Sequence, residues 1–219
     1  MDAEGSYKDV FTRVPEALIP APTLTVLLKH QNQSRGKPVD ALTALQTRTA
    51  VPRLVEPAPN AAELEQILKA GLRAPDHGML RPWKFLLVEG EGRQKLAQMF
   101  VEATQPDTEE RKQKLLTTPM RAPLIIVGVA TVKEGKVRPN EQVCSVAAAL
   151  QNMSVACHAL GYASIWLTGG MCYDNRAKLG LGLKETDEIV GFLYVGTATV
   201  QERPVPQHNL ADFVQRWPA

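Results

Sequence analysis

Cysteine is scarce in this chain, and what there is follows no pattern. Cys144, Cys157 and Cys172 are odd in number and show no CxxC or CxxH spacing, which argues against a disulfide scaffold and a structural zinc site. Reduced thiols in a cytoplasm are the simplest account. Charge of one sign is not in excess: 22% of residues are charged and the net charge is +2, so neither nucleic acid nor an acidic membrane surface is expected as the main partner. No apolar run is clean enough to span a bilayer. The best, Val143 to Tyr162, would reach roughly 30 Å as a helix. It carries Ser145, Gln151, Asn152, Ser154 and His158, and so reads as a buried helix of a soluble protein. Residues 1–5 are acidic where a signal peptide is basic. Also absent are GxSxG, HExxH, a Walker-type loop and GxGxxG. His30, His77, His158 and His208 are scattered, His158 reading as a core or interface residue rather than a ligand. A chain without a nucleophile–base pair is expected when a cofactor supplies the chemistry and the protein supplies binding and electrostatics.

What is present is an ordinary globular balance, with 44% hydrophobic residues over 219. A core of that size buries roughly 70% of the unfolded chain's surface. Residues 1–38 stand apart: Pro15, Pro20, Pro22 and Pro38 interrupt them, 31–37 are polar, and only Leu24 to Leu28 has strand character. They are expected to form a disordered or loosely attached arm, with residues 39–219 as the folded domain. Asp40 caps a short helix from Ala41 to Gln46. Asn60 and Glu63 open an amphipathic helix over 61–73, which Pro75 ends. Further helices are predicted over 92–102, 108–116, 141–160 and 175–179, and strands over 84–89, 123–132, 164–168 and 190–198. The charged helix 108–116 is read as a solvated face. Helix 141–160 has too alanine-rich and apolar a surface for a freely exposed helix. An α+β layer with a central sheet follows from this irregular alternation.

The link between helix 61–73 and strand 84–89 holds Pro75, Asp76, His77, Gly78, Arg81, Pro82 and Trp83. A connector needs only turn residues; this one also carries side chains that recognise phosphate or stack on flat ligands. On these residues alone, a binding loop and a connector with incidental charges stay equally open. A helix ending in Arg-Ala-Pro-Asp-His, followed by Pro-Trp and a hydrophobic strand, resembles the flavin-binding signature of the nitroreductase family. The resemblance covers about residues 39–203 and follows the short, single-domain bacterial subgroup. It implies a central mixed sheet flanked by helices, with FMN at a homodimer interface. It begins at Val39, where relatives of this size have their initiator methionine. Residues 1–38 are therefore expected to be dispensable, or not made if translation starts at a GTG codon read at Val39. The competing expectation is that Leu24 to Leu28 adds a strand or wraps the dimer.

The resemblance also implies the site residues. Arg48-Thr-Ala-Val-Pro-Arg53 matches an Arg-x-Ser-x-Arg-like motif, so Arg48, Thr49 and Ala50 would hold FMN, Arg48 at its phosphate. Ala50 stands where serine is usual, leaving only its backbone to serve. Arg73 and His77 match residues that meet the flavin, His77 reaching the FMN of the partner subunit, and Pro82-Trp83 would lie beside the ring. Trp166, Leu167 and Thr168 would line the ring ahead of Gly169-Gly170; Leu167 replaces a polar residue, and Trp166 has a core reading as its alternative. Gly196 and Arg203 would close the site over the phosphate. The implied activity passes hydride from NADH or NADPH to flavin N5. The nicotinamide then leaves, and a small-molecule electron acceptor such as a nitroaromatic or a quinone takes its place in a ping-pong cycle. The alternative is a non-catalytic flavin-binding or interaction protein that keeps the fold. The residues do not decide between NADH and NADPH.

Overall fold

The computed structural model describes residues 40–199 and 204–218; the expectations for the arm 1–38 and for Arg203 lie outside them. Helix α1 (Ala41–Thr47) starts where the Asp40 carboxylate accepts the N–H groups of Leu42 and Thr43. Helix α2 (Ala61–Gly71) opens on a reciprocal capping box between Asn60 and Glu63. It stops at Gly71, short of the predicted Arg73, because the N–H groups of Arg73 and Ala74 bond back to the Ala70 and Gly71 carbonyls. Those three-residue bonds tighten the last turn before Pro75. The other helices are α3 (Gly92–Thr104), α4 (Glu109–Thr117), α5 (Pro139–Ala159) and α6 (Asn175–Gly180). The strands are β1 (Leu54–Val55), β2 (Trp83–Glu89), β3 (Leu124–Thr131), β4 (Ala163–Leu167) and β5 (Asp187–Ala198).

Strand β5 is the spine of the sheet. It pairs antiparallel with β3 over 187–195 and with β4 over 192–196, so those two lie on its opposite edges, and β2 continues the sheet beyond β3. Strand β1 meets the end of β5 at Thr197 and Ala198. All named strands are antiparallel. The parallel component is the bridge from Ala50 to Ser164, where the Ser164 carbonyl accepts the Val51 N–H at 3.1 Å.

Two cores follow from the two-residue period of β3, whose residues alternate between faces. Leu124 and Ile126 meet Leu150, Met153 and Cys157 of α5 and Ile67 of α2. Ile125, Val127 and Val129 meet Leu96 and Phe100 of α3 and Leu181 beyond α6. Buried on both sides, β3 reads as the continuous apolar run expected of such a strand. Helix α4, as its charge pattern predicts, buries no residue. Gly71 lets α2 close on α5: a Cβ there would lie 2.2 Å from the Met153 terminal methyl. Among the described residues, no helix is long and apolar enough to cross a membrane.

Candidate functional site

The predicted cofactor residues fall into two groups. The first lies along β4. Arg48 ends α1, whose last turn is fastened to α5 by Thr47 Oγ1 and His158 Nε2 at 2.8 Å. Two residues on, Ala50 bridges Ser164, whose hydroxyl meets that of Ser154 at 2.9 Å in the core. From Ser164 the strand leads to Trp166, Leu167 and Thr168, a rise of about 13 Å from the Ala50 level to Thr168. Arg48 and Thr49 are half-buried, while Ala50, Thr168, Gly169 and Gly170 are exposed. Among the described residues, the Arg48 guanidinium has no carboxylate partner. A Cβ built on Gly169 or Gly170 meets nothing within 4 Å, so the backbone there is open to close approach by a flat group.

The second group surrounds the turn His77–Met79. The Asp76 carboxylate accepts the N–H groups of Leu80 at 3.1 Å and Arg81 at 2.7 Å. This fold-back holds two non-glycine residues in the left-handed region, Met79 at φ 52° and Arg81 at φ 48°, a conformation that costs about 1–2 kcal/mol per residue. Arg73 and His77 are exposed, and His77 Nδ1 lies 3.5 Å from Glu141 Oε2 on the first turn of α5. Pro82 is buried, and its carbonyl accepts both the N–H and the hydroxyl of Thr131 at the end of β3.

Helix α5 measures the separation of the groups. The Arg48 group docks at His158 and the His77 group at Glu141, about 25 Å apart at the helical rise of roughly 1.5 Å per residue. Across the sheet, β5 and β3 stand between β4 and β2, and the register puts Trp166 level with Leu87, four residues from Trp83, so the two indoles are on the order of 20 Å apart. One chain therefore does not gather the eight predicted residues that lie among the described ones around one point. Two concave surfaces among the described residues lie elsewhere: about 380 Å³ between β2, α3 and α6, and about 470 Å³ between α3 and α4. Neither is lined by a predicted cofactor residue.

Trp166 has a second, structural allegiance. Its indole packs on the α2–α5 core, and its Nε1 is buried without a hydrogen-bond partner. A Cβ on Gly191 would lie 2.0 Å from that nitrogen, so the indole edge occupies the space glycine leaves. Gly196 has a structural reason too: an added Cβ would meet the Val55 carbonyl oxygen at 2.9 Å and Pro123 Cδ at 2.7 Å. Leu167 is half-buried against the other core, which explains an apolar residue at that position.

The sequence did not single out Gln142. Its Oε1 accepts the Lys133 N–H at 2.9 Å, and its Nε2 donates to the carbonyls of Lys133 and Val137 at 2.8 and 3.1 Å. At 1% exposure, it fixes the loop 132–138 to α5 beside the His77 turn. A glutamine on a helical face otherwise made of apolar residues and serines was the available signal. Among the described residues, no His, Cys, Asp and Glu group is arranged to hold a metal ion.

Residues 45–197 match the sequence profile of the Nitroreductase family. An Escherichia coli K12 protein named "Putative NAD(P)H nitroreductase YdjA" is 40% identical over 162 residues, spanning 73% of this chain and 88% of its own length. A Haemophilus influenzae protein named "Putative NAD(P)H nitroreductase" is 34% identical over 181 residues, 80% of this chain and 98% of its own. Among solved structures, a nitroreductase-like family protein from Bacillus cereus superposes with a TM-score of 0.73 at 22% identity, covering 85% of this chain and all of that one. A variant of NfnB from sphigopyxis sp. strain HMH, described as an FMN and NADPH-dependent nitroreductase, gives 0.65 at 17% identity, with 83% and 100% coverage.

Proposed function

The chain belongs to the nitroreductase family, and from that premise we propose that it is an FMN-dependent NAD(P)H oxidoreductase whose flavin sites form between two copies. One observation carries this reading: the two groups of cofactor-type residues lie about 25 Å apart along α5. A second copy packed across that helix can bring the His77 group of one chain to the β4 group of the other. The outward side of α5 suits such packing, since Ala147, Ala148 and Val155 are half-exposed there. Ala149 is fully buried against the sheet and takes no part.

The residues of the β4 group fit FMN. Arg48 offers a planar, charged donor pair to the phosphate, with Thr49 and the Ala50 backbone alongside it. Trp166, Leu167 and Thr168 lead to the open backbone at Gly169 and Gly170, where a flat ring can lie. The rise of about 13 Å between these ends suits a ring carried on an extended chain ending in phosphate. Arg73, His77 and Pro82-Trp83 would come from the partner subunit, and Arg203 would close over the phosphate. When bound, FMN supplies the electron transfer, from NADH or NADPH to a small acceptor such as a nitroaromatic or a quinone. The chain's own part is to hold the phosphate, leave the ring face open to exchanging substrates, and offer positive or hydrogen-bonding groups where charge builds on the reduced ring. Three cysteines without disulfide or metal spacing support a cytoplasmic location in this reading.

The test is anaerobic addition of NADPH or NADH to the purified protein. Loss of the flavin's visible absorbance, restored by a quinone, is the expected outcome. A yellow protein that neither donor bleaches is a flavin carrier and not an oxidoreductase.

A further inference from the structure

The His77 turn and the loop 132–138 are stitched into one surface. Lys133 Nζ donates to the Leu80 carbonyl, Gln142 holds the loop from inside, and the Gly78 backbone approaches Val137 so closely that a Cβ would lie 3.0 Å from its methyl. This surface exposes Arg81, Lys133, Lys136 and Arg138 beside Arg73 of the flavin group. Its acids are largely committed: Asp76 to two backbone N–H groups and Glu141 to His77, which leaves Glu134. Among the described residues, the ion pairs give no carboxylate partner to Arg73, Arg81, Lys136 or Arg138. The chain thus keeps a rim of unneutralised cations on a rigid, partly strained support. It does so although its net charge is only +2.

We infer that this rim receives the 2′-phosphate of NADPH, so that the protein takes NADPH in preference to NADH. The inference rests on the proposed function and deepens it. In that reading Arg48 serves the flavin phosphate, and the rim shares its turn with His77, which stands at the partner's ring. The anion still to be recognised there belongs to the entering dinucleotide. NADPH differs from NADH by one phosphate of about −1.5 to −2 charges at neutral pH. A surplus of arginine and lysine acts mostly on that difference.

The experiment is calorimetric titration of the flavin-loaded protein with NADP⁺ and with NAD⁺. NADP⁺ should bind at least about tenfold more tightly, as loss of a charge-assisted bond predicts, and the gap should narrow as salt rises. Replacing both Lys136→Gln and Arg138→Gln, two exposed side chains, should remove most of the gap while leaving NAD⁺ affinity and flavin content unchanged. Equal affinities in the parent protein, or a preference that survives the double substitution, overturns the inference. Anaerobic bleaching separates this failure from that of the wider reading. Equal bleaching by both donors with equal affinities sinks only the NADPH preference, whereas no bleaching by either sinks both.

Discussion

Arg48 is the residue on which the flavin reading depends most. It entered through the resemblance of Arg48-Thr-Ala-Val-Pro-Arg53 to the family's Arg-x-Ser-x-Arg-like motif, and its guanidinium has no carboxylate partner among the described residues. Arg48→Ala is expected to weaken FMN binding by tenfold or more, since truncating one partner of a shielded charge pair typically costs about 2–5 kcal/mol. Flavin released on dialysis of the variant checks this, and unchanged retention would remove Arg48 from the site. Other residues were legible only in part. The aromatic Trp166 reads equally as ring contact or core, and its position is decided by Gly191, a partner on β5 that no local pattern indicates. Two thiols carry a pH prediction. Burial pushes Cys157 up to about 12 and Cys172 up to about 11, so the folded chain holds these protons more tightly than the unfolded chain does. Their stabilisation is complete below the ordinary thiol value of 9.0 and is lost as pH rises through 11 and 12. Thermal melts should therefore fall in Tm above about pH 9, and more shallowly for Cys172→Ala.

At the scale of elements, caps and breakers made most boundaries readable. Asp40 and the Asn60–Glu63 box start their helices where expected, and the buried β3 run gives itself away by composition. What failed was set by contacts outside each segment. Strand β1 is two residues long and exists through its pairing with Ala198 and Thr197. Strand β5 begins at Asp187, an acid that a hydrophobic pattern discounts, because its carboxylate is buried accepting the Lys184 N–H at 3.0 Å. Gln142 makes the sharpest prediction at this scale. Gln142→Ala strips partners from three backbone groups of the loop, at Lys133 and Val137, and removes a fully buried side chain, and should cost about 2–3 kcal/mol. Denaturant unfolding measures it. A cost below about 0.5 kcal/mol, the range of ordinary surface changes, would show that the loop 132–138 is held by other means. The same variant should also lose part of the NADP⁺ preference, because the cations ride on that loop.

At the scale of the molecule, the α+β class and the sheet flanked by helices could be read from the sequence, but the strand order could not. Pairing β5 with strands on both edges is a long-range choice, made by which faces bury together. The Arg48 group and the His77 group lie about 25 Å apart along α5, and in the proposed reading a second copy completes the flavin site. The most direct measurement is analytical sedimentation followed at the flavin's own absorbance, on the parent protein and on Ala148→Glu. Ala148 is half-exposed on the outward side of α5, so a glutamate there can fold in the single chain but places a charge in the proposed interface. The parent is predicted to sediment as a dimer carrying all of the flavin, and Ala148→Glu as a monomer without it. A monomer that still carries FMN would contradict the account.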